Sequence, residues 1–254
     1  MTALTPAERI LLSLGITSPK EIDLEAIAWS RGAVVNFRPL DKCEATIVGS
    51  QTRAVITVNN RSIPERQRFS IAHELGHWHH HRGRVLFCGQ KDVGNPANDA
   101  NNPEQQADRF ASDLILPNYL LYPRISKVKR LTLALVRELR QEFQASLTAT
   151  LLKLVKSNRF PIIVVCHGQQ GRRWFQRADM VPGWWFPSDG LDAESFAFEL
   201  LFRGIDENSF PRKIGADAWF AFRNADRYEL QEQSFRLPND EVLTLLTIPD
   251  EGLG

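Results

Sequence analysis

Residues 69–77 read Phe-Ser-Ile-Ala-His-Glu-Leu-Gly-His, and this run constrains the fold more than any other. Phe69, Ile71, Ala72, Leu75 and Gly76 surround three polar side chains, His73, Glu74 and His77. Pro64 opens a helix that runs through both histidines, and the apolar flank places most of that helix in the interior. Burying two imidazoles and a carboxylate without partners is costly. The chain must therefore fold so that something meets them, and a metal ion is the simplest such partner. Gly76 costs a helix about 1 kcal/mol relative to alanine. Its place beside the histidines makes sense if another stretch of backbone packs closely there.

Residues four apart share a helix face, so the imidazoles of His73 and His77 can point at one ion. Glu74 flanks the pair without joining it and can reach a water molecule instead. Zinc lowers the pKa of a bound water toward ~7, and a neighbouring carboxylate can take its proton. The five-residue pattern also occurs by chance on exposed helices, so the rest of the ligand set matters. A catalytic zinc takes three protein ligands and keeps one position open. The longer form of the motif, with a third histidine six residues on, is absent: that position is Gly83. His79 and His80 turn away from the stripe, whereas His81 lies on it one turn further, as a ligand or at a solvated helix end. Glu104 opens a second helix whose apolar face carries Ala107, Phe110, Ala111, Leu114 and Ile115. It shares that face, and Asp108 follows one turn later. A carboxylate there either meets a metal or interacts with the helix N-terminus. The residues alone leave both readings open.

The remaining sequence sets the scaffold. Thr5, Pro6 and Glu8 mark a helix start, and Asp23 to Arg31 reads as a second helix ended by Gly32. Ala33 to Phe37, Ala45 to Val48 and Ala54 to Val58 read as strands of a small antiparallel sheet. An extended peptide adding to the edge of the 54–58 strand is one way to bind substrate. Cys88 to Pro103 reads as a loop and a candidate lid. Leu131 to Phe143 and Leu147 to Val155 read as a helix pair around Ala145-Ser146. In residues 124–159 nine Lys or Arg face only Glu138 and Glu142, a net +7. Residues 188–254 hold fourteen acidic and six basic side chains, a net −8. Pro161 to Cys166, a segment around Trp174-Phe175, Ala218 to Phe222, Leu230 to Arg236 and Val242 to Ile248 read as strands, and Asp192 to Arg203 as a helix. Tyr119, Tyr122 and His167 are candidates, by residue type alone, for stabilising an oxyanion.

Composition narrows the class. The 254 residues are 43% hydrophobic and 24% charged, with 31 Lys plus Arg against 30 Asp plus Glu. Disordered, collagen-like and coiled-coil chains are excluded. The balanced charge also disfavours a strongly basic nucleic-acid protein, although the +7 segment keeps DNA binding open as a second reading. No apolar run reaches the ~18 residues of a membrane-spanning helix. Three widely spaced cysteines and no recognisable signal segment lead us to expect a cytoplasmic protein without disulfides.

Two motifs together carry a resemblance. Arg68-Phe-Ser-Ile-Ala-His-Glu-Leu-Gly-His77, followed by E-x-x-A-[ND]-x-F-A-x-x-L-[IL]-x-P at 104–117, resembles the ImmA/IrrE family of metallopeptidases over roughly residues 5–155. The resemblance implies a gluzincin-like site. His73, His77 and Glu104 would be ligands to zinc, or to manganese, with Glu74 as general base. It implies cleavage of helix-turn-helix repressors in a stress or mobile-element response. Gln106 and Asp108 depart from the residues the family often carries, and neither is an expected ligand. Asp108 is placed to accept the second ring N–H of a ligand histidine. The expected architecture is α+β. A zincin-like core occupies 1–123, a basic helix-turn-helix-like segment 124–159, and an α+β domain with a sensory or partner-binding role 160–254.

Overall fold

The computed structural model describes residues 3–82, 102–207 and 210–254. Local sequence chemistry starts each of the first helices. Helix α1 (Pro6–Ser13) opens on a capping box, in which Glu8 N–H donates to Thr5 Oγ1 at 3.3 Å and Thr5 N–H to Glu8 Oε2 at 2.9 Å. Helix α2 (Leu24–Ser30) is capped by Asp23, which accepts from the N–H groups of Glu25 and Ala26. It ends at Gly32, whose φ of +83° suits glycine and whose Cα faces the Thr52 carbonyl.

Strands β1 (Ala33–Arg38), β2 (Ala45–Gly49) and β3 (Ala54–Asn59) form a sheet in the order β1-β3-β2. β2 runs antiparallel to β3, but β1 runs parallel to it, from Ala33 opposite Ala54 to Arg38 opposite Asn59. The sheet is therefore mixed rather than antiparallel throughout. β3 slots between the two earlier strands, so β1 and β2, which are themselves opposed in direction, never pair. β3 consequently has no free edge, and the edge-addition reading for residues 54–58 is corrected: among the described residues the outer strands are β1 and β2.

Helix α3 (Pro64–His80) follows, then α4 (Pro103–Ile115) and α5 (Asn118–Ile125). Asn102 caps α4 by accepting from Glu104 N–H at 3.0 Å. The buried Glu8 uses its second oxygen to accept from Asn118 N–H at 2.6 Å, tying α1 to the start of α5. A Cβ placed on Gly76 of α3 would stand 2.8 Å from the Ala107 Cα of α4. This is the close backbone approach that the glycine suggested.

The described chain divides into two compact units. One comprises residues 1–127 with 140–146, the other 128–139 with 147–254. Helix α6 (Leu133–Phe143) spans that division, and α7 (Leu147–Lys156) belongs to the second unit. The second unit is built on an antiparallel sheet in the order β5-β4-β8-β7-β6. Its strands are β4 (Ile162–Gly168), β5 (Gly171–Arg177), β6 (Arg212–Gly215), β7 (Glu229–Leu237) and β8 (Glu241–Thr247). Every residue of β4 is buried. α7 packs Leu151, Leu154 and Val155 inward, and Leu133 N–H donates to Gln233 Oε1 at 2.9 Å.

Two expectations in this unit are corrected. Residues 218–222 are not a strand. Ala216–Ala218 forms a 3-10 turn, and Phe220 makes only an isolated bridge to Pro187. The aromatic side chains there instead surround the buried Trp185, with Phe220 at 5.0 Å and Phe222 at 4.9 Å between ring centres. Helical structure within 192–203 begins only at Phe196, where Ser195 Oγ accepts from Phe198 N–H, and it widens into a π turn through Arg203.

Candidate metal centre

The site is built by two helices. α3 supplies His73, Glu74 and His77, which are 1%, 1% and 2% exposed. α4 supplies Glu104 from its first turn and Asp108 from its second. Glycine at position 76 lets the two backbones approach, so side chains of ordinary length meet between them.

The ligand-type atoms converge. The Nε2 atoms of His73 and His77 lie 3.0 Å apart. The Glu104 carboxylate turns one oxygen to each ring, 3.2 Å from His73 Nε2 and 3.4 Å from His77 Nε2. Ligand atoms 2.0–2.1 Å from a tetrahedral zinc stand roughly 3.3 Å from one another. The spacing of all three groups matches the edge of such a tetrahedron, and the donor set of two imidazoles and a carboxylate suits zinc. Among the described residues this is the cluster able to hold a metal ion.

The groups behind the rings are equally ordered. His73 Nδ1 donates to Asp108 Oδ1 at 2.9 Å, the role expected of Asp108. His77 Nδ1 faces His81 Nδ1 at 3.3 Å. His81 is buried at the end of α3, and its backbone N–H donates to the His77 carbonyl at 2.8 Å. It therefore stands behind a ligand ring rather than in the ligand cluster or at a solvated helix end. The i, i+4 spacing from His77 is the sequence signal for the contact actually made.

Electrostatics separate the two glutamates. Burial raises the pKa of Glu74, and the Glu104 carboxylate raises it further, while the two imidazoles partly oppose this; the net direction is upward. Burial also acts upward on Glu104, but its hydrogen bonds to His73 and His77 outweigh that and hold it far below the usual carboxylate range. Among the described residues Glu74 Oε2 has no hydrogen-bond partner, despite being buried beside the ligand cluster.

Tyr119 donates its hydroxyl to the Ile16 carbonyl at 2.9 Å. Tyr122 lies on α5, and His167 lies on β4 of the second unit. The candidate lid from Cys88 onward falls outside the described residues up to Asn101.

Residues 29–155, half of the chain, match the Peptidase M78 family, described as the IrrE N-terminal-like domain. No curated protein matches the sequence. A solved structure named "Mycobacterium tuberculosis transcriptional regulator" resembles the chain with a TM-score of 0.60 at 14% identity, over 95% of this chain and 86% of that one. At that identity the likeness is one of fold alone. Two motifs, their meeting across α3 and α4, and the match over residues 29–155 place the chain in the Peptidase M78, or ImmA/IrrE, family of metallopeptidases.

Proposed function

We propose that the chain is a zinc-dependent endopeptidase that hydrolyses a peptide bond in a helix-turn-helix repressor. One observation carries the catalytic part: buried Glu74, whose Oε2 has no hydrogen-bond partner among the described residues, adjoins three convergent candidate ligand groups. In this reading His73, His77 and Glu104 hold the ion, and Asp108 fixes the ring of His73. Zinc bound there supplies Lewis acidity toward water and toward a carbonyl oxygen. Glu74 takes a proton from the attacking water at Oε2 and returns it to the nitrogen of the leaving amine. Manganese is the alternative ion. The repressor class of substrate is what the resemblance to the ImmA/IrrE family implies.

Glu74→Gln separates this reading from its rival. The substitution keeps shape and removes only the base. Turnover of a quenched-fluorescence peptide library should fall about 10²–10⁴-fold, the usual contribution of a positioned acid–base group. Metal content should stay near one zinc per chain. Metal loss in Glu104→Ala would complete the ligand assignment; full retention would remove Glu104 from it.

The rival reading is a non-proteolytic, metal-containing regulator that binds DNA or a repressor. The +7 segment at 124–159 favours it, and so does a structural neighbour named as a transcriptional regulator. Among the described residues Arg124 nevertheless already meets Glu142, Arg137 meets Glu207, and Arg140 meets Glu65. A regulator keeps its effect in Glu74→Gln; a peptidase loses it. Residues 160–254 are assigned a sensory or partner-binding role, supported by the −8 charge of residues 188–254. Reversing acidic side chains there should alter regulation while leaving peptide turnover intact.

A further inference from the structure

We infer that His81 is a positioning residue for the metal centre, accepting a hydrogen bond at Nδ1 from His77 and so fixing the tautomer in which His77 offers Nε2 to the ion. The inference rests on the zinc reading above.

The argument is one of hydrogen positions. His77 Nε2 points into the ligand cluster, 3.0 Å from His73 Nε2 and 3.4 Å from Glu104 Oε1. An imidazole that binds metal through Nε2 carries its proton on Nδ1. That proton faces His81 Nδ1 across 3.3 Å. Protons on both nitrogens would collide in such a gap. His81 must therefore leave Nδ1 bare and carry its own proton on Nε2. The ring has little freedom to evade this role. It is 8% exposed, its centre is 5.5 Å from that of His77, and its backbone is anchored by the bond to the His77 carbonyl.

The two ligand imidazoles are thus supported by unlike groups. Asp108 brings a carboxylate to His73, whereas His81 brings a neutral ring to His77. A ligand ring backed by an acceptor is oriented and made more basic, and loss of such a partner typically weakens metal binding 10–100-fold.

The test compares zinc affinity, by competition with a chelating indicator, in full-length wild type, His81→Leu and His81→Asn. Asparagine places Oδ1 where histidine places Nδ1, so it keeps the acceptor; leucine removes it. We expect 10–100-fold weaker zinc binding in His81→Leu and recovery of most of that loss in His81→Asn. Nitrogen-15 NMR of the zinc-loaded wild type should show His81 protonated at Nε2 alone, a measurement that needs no variant. Equal affinity of wild type and His81→Leu, failure of asparagine to restore binding, or a proton on His81 Nδ1 would each overturn the inference. Absence of zinc binding by the wild type would overturn the metal reading itself, and this inference with it.

Discussion

His73 and His77 sit one helical turn apart, yet a carboxylate stands behind one and an imidazole behind the other. Asp108→Asn tests the stronger of these supports. The amide keeps an acceptor in place but removes the negative charge, so the ring of His73 stays aligned and becomes less basic. Zinc affinity should drop about tenfold with little change in thermal stability of the metal-free protein, as read by chelator competition and calorimetry. At this scale the sequence was legible wherever helix spacing alone decides an outcome. His73, Glu74 and His77 follow from the period of 3.6. Glu104 needed the second motif, because its partner helix lies far away in sequence. The spacing of His81 from His77 signalled a contact but not its kind, since spacing places a side chain on a stripe without orienting its ring.

The contact between α3 and α4 belongs to the next scale. Gly76→Ala poses two opposed effects. Alanine favours a helix by about 1 kcal/mol over glycine. Its Cβ, however, would stand 2.8 Å from Ala107 Cα and 3.0 Å from Ala107 O, and backbone atoms do not yield as a flexible side chain does. Overpacking of that kind costs about 1–3 kcal/mol. We expect net destabilisation in urea unfolding, together with weaker zinc binding, because the helices that separate are the two that carry the proposed ligands. Helix starts and stops were readable from Thr5, Asp23, Gly32, Pro103 and Pro117. Strand order was not. Three short β-branched segments do not record which lies in the middle, and that decision left β3 without a free edge. The aromatic run at 219–222 misled for a related reason. Strand preference of aromatics reflects a fit to half-buried surfaces, and here the cluster around Trp185 offers burial without a ladder.

For the molecule as a whole, two units imply two separable responses. Zinc that binds the folded first unit raises its stability by mass action, about 2.7 kcal/mol at a hundred times Kd. The second unit should respond to acid. Burial pushes the pKa of His167, fully enclosed on β4, down to about 4 from an ordinary 6.5. Above pH 6.5 the ring is neutral in both folded and unfolded chains. Between pH 6.5 and 4 the unfolded chain alone gains the proton, so stability falls as pH falls, by about 3 kcal/mol at pH 4. Glu232 works the other way, because burial raises its pKa and the folded chain takes that proton first. The difference between wild type and His167→Phe isolates the histidine: the wild-type urea midpoint should fall relative to that of the variant as the pH drops toward 4.

The proposed ligands also lie on opposite sides of a long stretch of chain, with His77 before it and Glu104 after it. An ion gripping both acts as a reversible cross-link, and a cross-link matters most for the segments whose ends it joins. Unfolded chains rarely hold those ends together, so metal uptake should accompany the docking of α4 on α3 rather than precede it. Amide exchange along α4 thus becomes a gauge of occupancy: fast after chelation, slow on reloading, and indifferent in the five-stranded sheet.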